Sequence, residues 1–159
     1  CSVNVDKRSS IGNFRCQHNQ ISEWDAYMTE LPNVNASTIK QMQAIAQTPE
    51  DGPVFMLNLN KYSTAANFPN GALYKEYVQS INRLVAEVEG KILWQTPING
   101  QVVGSQDIDE VLGVWYPSHK AFLNIRNVPS SAKNMELRDK AVQSANLHWC
   151  DAYTVMRYP

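Results

Sequence analysis

Two rhythms of hydrophobic and polar residues run through the segment from Gly52 to Gly90. Val54, Phe55, Met56, Leu57 and Leu59 cluster after Pro53, which predicts a β-strand entered just past a proline. After the polar bend Ser63–Gly71 the period lengthens. Leu73, Tyr74, Tyr77, Val78, Ile81, Leu84, Val85 and Val88 fall on one face of an amphipathic helix. Gly90 stands where a left-handed residue ends such a helix, and Lys91-Ile92-Leu93-Trp94 opens a second strand. Strand, helix and returning strand make a βαβ unit, whose crossover is right-handed in nearly all proteins.

The flanking pattern is shorter in period. Ile21, Trp24, Tyr27, Met28 and Leu31 predict one short helix, and Ile39, Met42, Ala44 and Ile45 predict another over 37–47. Asn35-Ala36-Ser37 has the form of a glycosylation sequon and reads equally as a helix start. Beyond the central unit, Lys91–Gln95 and Gln101–Val103 flank a turn, and Asp107–Tyr116 predicts a third strand ended by Pro117. Ser118 caps a short helix through Arg126, Pro129 opens another to about Ala145, and Leu147–Met156 is the last strand. The order βαββαβ predicts an α+β, ferredoxin-like protomer with an N-terminal helical extension. Residues 1–20 read as an arm or tether, and 21–159 as a single domain with two leading helices.

Composition narrows the function classes. The 159 residues carry 14 basic and 15 acidic side chains in mixed sign, for a net charge of −1, so no basic footprint for nucleic acid exists. No apolar run reaches the roughly 20 residues of a membrane span. The chain begins with Cys1, which fits an acylated lipoprotein terminus and hence an exported, periplasmic or membrane-anchored protein; a trimmed chain and a cytoplasmic location are the alternative. Cys16 and Cys150 could pair in an oxidising compartment or remain buried thiols. There is no Cys-x-x-Cys, His-Glu-x-x-His, phosphate-binding glycine loop or Gly-x-Ser-x-Gly elbow, so neither metal nor organic cofactor is expected.

Several blocks in order, GPVFMLNLNKY, ALYKEYVQSINRLVAEVEGKILW, DEVLGVWYPSHKAFLNI and ELRDKAVQSANL, resemble the family called domain of unknown function 1330. The resemblance covers about Ser37 to Leu147, with Glu89-Gly90 where a double glycine is common. It implies a member of the dimeric α/β-barrel superfamily, a homodimer whose sheets face each other across a pocket, and it implies no reaction.

On that basis the first strand carries the candidate site. Alternation puts Phe55, Leu57 and Leu59 under the helices and Val54, Met56, Asn58 and Asn60 on the opposite, dimer-facing side. Asn58 and Asn60 are expected to orient a small ligand, or else to satisfy interface groups. Tyr74 and Tyr77 share a helix face and could supply phenols to the pocket rim or simply pack in the core; Trp94 is a candidate wall. His119, at a helix start, is the candidate general base near the pocket mouth, with Tyr77 as a second catalytic candidate. Arg138 could neutralise an acidic ligand or pair with a neighbouring carboxylate on its helix. Two functions follow: a module that binds a small apolar ligand between the sheets, or a cofactor-independent enzyme, oxygenase- or isomerase-like, acting on a small aromatic or polyketide-like compound.

Overall fold

The computed structural model describes residues 33–151. The expected helix over 21–31, the arm boundary at residue 20, Cys1 and Cys16 lie outside the described residues. Residues 35–151 belong to one compact unit.

Helix α1 spans Ala36–Ile45 and starts on Asn35, whose Oδ1 accepts from Thr38 N–H (3.3 Å) and from the Ser37 hydroxyl (2.7 Å). The sequon therefore coincides with a helix cap. Strand β1, Val54–Tyr62, leads through a short 3₁₀ turn to α2, Ala72–Glu87. Strands β2 (Lys91–Pro97) and β3 (Glu110–Tyr116) follow, joined by a long loop. Helix α3 (His119–Leu123) continues as a 3₁₀ turn, α4 spans Ser131–Ala141, and β4 spans Val142–Cys150. The sheet order is β2-β3-β1-β4 with every pair antiparallel, the ferredoxin-like arrangement.

Four local expectations are corrected. Helix α2 ends in a Schellman turn whose left-handed residue is Glu89 (φ 59°), not Gly90. Gly90 donates to Val85 O (2.9 Å), and its need is for space: a Cβ there would sit 2.8 Å from Val85 Cγ1 and 2.9 Å from Tyr116 Cδ1. Gln101–Val103 belongs to no strand, and Val102 and Val103 are almost wholly exposed at the loop tip. The last strand begins five residues earlier than expected, directly after α4. Ser63 N–H and Oγ–H hold the carbonyls of Ala141 and Lys140, so the chain is turned onto β1 there, and ladder pairing overrides the helical reading of Val142–Ala145.

The fourth correction concerns the two faces of the sheet. Val54, Met56, Asn60 and Tyr62 are at most 4% exposed and pack beneath the helices with Leu112, Val114 and Tyr116. Phe55, Leu57 and Leu59 share the other face with Val111, Gly113 and Trp115, and Leu57, Leu59, Val111 and Trp115 are half-buried. The assignment from alternation is thus inverted. The asparagines suggested water or an interface, yet Tyr62 has their parity and belongs to the core cluster of Ala66, Tyr74, Tyr77, Leu137 and Ala141.

Candidate functional site

Under the helices, at the end of β1, the sheet buries a carboxylate. Glu110 is 1% exposed, stands opposite Asn60 in the β1–β3 ladder, and is held by two phenols. Tyr62 OH donates to Oε2 at 2.6 Å and Tyr74 OH donates to Oε1 at 2.7 Å. Asn60 Nδ2 in turn donates to Tyr62 OH at 3.4 Å. Burial drives both phenols well above the ordinary tyrosine range, and the bonds to Glu110 and its charge push the same way. Both remain donors at physiological pH. Tyr77 packs edge-on to Tyr62, ring centroids 6.2 Å apart. The sequence-predicted Asn60, Tyr74 and Tyr77 therefore meet in one cluster, and half-buried Asn58 shares their face of the sheet. Glu110 and Tyr62 were missed, although the parity of Glu110 with Leu112 and Val114 marks it as inward-facing.

Trp94 lies elsewhere. It is on the opposite face of the sheet beside Gly113 and Phe55, so it bounds no cavity with Asn58, Asn60 or Tyr77. Arg138 is half-buried on α4, where the pairing charges are Lys133, Glu136 and Lys140. His119 is also remote from the tyrosine cluster. Its neighbour Trp149 pairs with Met56, four residues along β1 from Asn60, or roughly 13 Å at the usual strand rise.

His119 instead meets Asp51, in the turn before β1. One Asp51 oxygen accepts from His119 N–H at 2.8 Å and lies 3.0 Å from Nδ1; the other accepts from Lys120 N–H at 3.3 Å. Burial works against the charged carboxylate, but these donors outweigh it and hold Asp51 below the ordinary aspartate value. Cys150, the expected disulfide half, carries a half-buried free thiol 3.7 Å from His148 O. Its expected partner Cys16 lies outside the described residues.

The open face holds a different feature. Leu59 and Val111 form the floor of an open hollow of about 380 Å³ beneath the β2–β3 loop, rimmed by Ile98, Val102, Val103 and Ile108 with the amides of Gln101 and Gln106. The loop is rooted by Lys61, whose Nζ lies 2.7 Å from Asp107 and 3.1 Å from Asp109, while Asp109 also accepts from Tyr62 N–H at 2.8 Å. Alternation places Leu59 with Phe55 and Leu57 on one face of β1 but does not tell which face is open. The loop residues carry no sequence signal beyond two valines between Gly100 and Gly104. Among the described residues no group of three or more metal-binding side chains gathers, and no helix is long and apolar enough to cross a membrane.

No family model matches the chain, and no curated protein does. Solved structures do. A protein of unknown function from Rhodopseudomonas palustris is 23% identical over 77% of this chain and 97% of its own, with a TM-score of 0.61. A protein from Arabidopsis thaliana is 11% identical over 65% of this chain and 99% of its own, with a TM-score of 0.51. A ferredoxin-like DABB family protein from Mesorhizobium loti is 11% identical over 67% of this chain and 99% of its own, at a TM-score of 0.47. The first two likenesses agree with the sheet order in assigning the fold.

Proposed function

We propose that the protein binds a small, largely apolar molecule on the open face of its sheet, and that a second copy closes the site in the manner of a dimeric α/β barrel. On this reading the chain belongs with the domain of unknown function 1330 family, whose sequence blocks it resembles. The observation that carries the reading is the hollow of about 380 Å³ floored by Leu59 and Val111. Its volume lies in the range of small-molecule sites, and a second copy laid over this open rim would enclose it. A continuous apolar strip, Phe55, Leu57 and Leu59 flanked by Trp94, Trp115 and Val111, extends from it along the sheet. Such strips on an otherwise polar surface mark association sites. Asn58, Asn60, Tyr74 and Tyr77 then act from beneath the sheet, fixing its shape, and do not touch the ligand.

Titration with 1-anilinonaphthalene-8-sulfonate, an anionic dye whose aromatic rings fluoresce on apolar surface, tests the site. Saturable binding is expected, weakened at least tenfold by Leu59→Asp in a protein that still melts cooperatively. Binding unchanged by Leu59→Asp, or no saturable binding at all, would contradict the assignment.

A further inference from the structure

The Asp51–His119 pair takes no part in the proposed ligand site, which lies on the other face of the sheet. Capping α3 requires only the Asp51 carboxylate, which already accepts from His119 N–H and Lys120 N–H. The imidazole is an addition to that cap. Its Nδ1 stands 3.0 Å from the carboxylate, so Nδ1 carries the hydrogen and donates, and in the neutral ring Nε2 is left with a lone pair. His119 is 8% exposed, and its Nε2 is buried with no hydrogen-bond partner among the described residues. A buried, unpartnered acceptor is uncommon in folded proteins and calls for a specific reason. An imidazole oriented by a carboxylate through Nδ1, with Nε2 bare, is the arrangement of a general base.

We infer that Asp51 and His119 form an acid–base site for a weakly acidic hydroxyl on a small aromatic molecule of the phenol type, with Nε2 as the proton acceptor. The missing partner must be a donor, because Nε2 offers only a lone pair. Its carrier must suit an apolar, aromatic wall: Trp149 stands edge-on to the imidazole, ring centroids 5.3 Å apart at 84°. Trp149 is half-buried on β4, which among the described residues is the edge strand of the sheet beside β1. In the transfer the ligand O–H bond breaks and an N–H bond forms at Nε2. The ligand becomes a phenolate, the ring becomes an imidazolium facing the Asp51 carboxylate, and nothing is oxidised or reduced. Asp51 is the positioning residue.

The test uses 4-nitrophenol, whose phenolate absorbs in the visible, at a pH below the pKa of the free phenol. Wild-type protein is expected to raise the phenolate band saturably. His119→Asn keeps an N–H toward Asp51 but deletes Nε2; it should lower the affinity at least tenfold without loss of cooperative melting, and Asp51→Asn should also weaken the signal. Leu59→Asp should leave it unchanged, which separates this site from the hollow on the open face. Nitrogen-15 correlation spectra of the wild type should show His119 protonated at Nδ1 and bare at Nε2, and should shift on addition of the phenol. Should His119→Asn fail to fold, those wild-type spectra decide. An Nε2–H tautomer, no phenolate band with wild type, or an undiminished band with folded His119→Asn would overturn the inference.

Discussion

The indole of Trp94 occupies the space that a side chain at Gly113 would need: a Cβ there would lie 2.5 Å from Cε2 and 2.7 Å from Cζ2 of Trp94. The same Cβ would lie 2.8 Å from Phe55 Cζ, so three strands meet over one glycine. Gly113→Ala should therefore destabilise the protein by about 1–3 kcal/mol, the usual cost of overpacking. Trp94→Leu should recover much of that loss in the double variant, since contacting residues couple. Urea denaturation of the four proteins of the cycle measures it, and additive effects would refute the contact.

Removing one phenol from Glu110 leaves a buried carboxylate oxygen without its donor. Tyr62→Phe and Tyr74→Phe should each cost about 1–3 kcal/mol, read as a lower midpoint in urea.

The same phenols predict an alkaline limit. Their folded-state pKa values lie above the ordinary 10.0, chiefly through burial and then through Glu110. Above pH 10 the unfolded chain releases protons that the folded chain keeps. The stability they contribute is complete below pH 10 and declines as pH rises toward the folded values. The urea midpoint should hold level below about pH 10 and fall steadily as the pH is raised above it, and Tyr62→Phe should flatten that fall. An equally steep fall in Tyr62→Phe would contradict the assignment.

What was legible in the chain is what local rhythm encodes. The long period from Leu73 to Val88 fixed α2 within a residue, and Ser118 caps α3 as expected, its Oγ accepting from Ala121 N–H at 3.0 Å. The face of β1 was not legible, because Val54–Leu57 is apolar on both parities. Only the partners of Asn60 and Tyr62 on β3 and α2 reveal which side holds the core. Asp51 and His119 are 68 residues apart and meet through the fold alone, with no spacing to betray them. The early start of β4 follows from Ser63 and from pairing with β1, neither of which local propensity records.

Glu89 takes the left-handed conformation that ends α2 and that glycine adopts without strain. Glu89→Gly should stabilise the protein by about 1 kcal/mol, seen as a higher urea midpoint with an unchanged slope. A neutral or lower midpoint would contradict the role given to this residue.

The central claim is that the open face of the sheet is the working one. Leu57 lies at the middle of it, half-buried and opposite Gly113, whereas Met56 beside it is 1% exposed beneath the helices. Light scattering at micromolar concentration on the wild type, Leu57→Lys and Met56→Lys tests the claim most directly. A dimeric wild type, a folded monomeric Leu57→Lys and an unfolded Met56→Lys are predicted. A monomeric wild type, or a Leu57→Lys that stays dimeric, would contradict it.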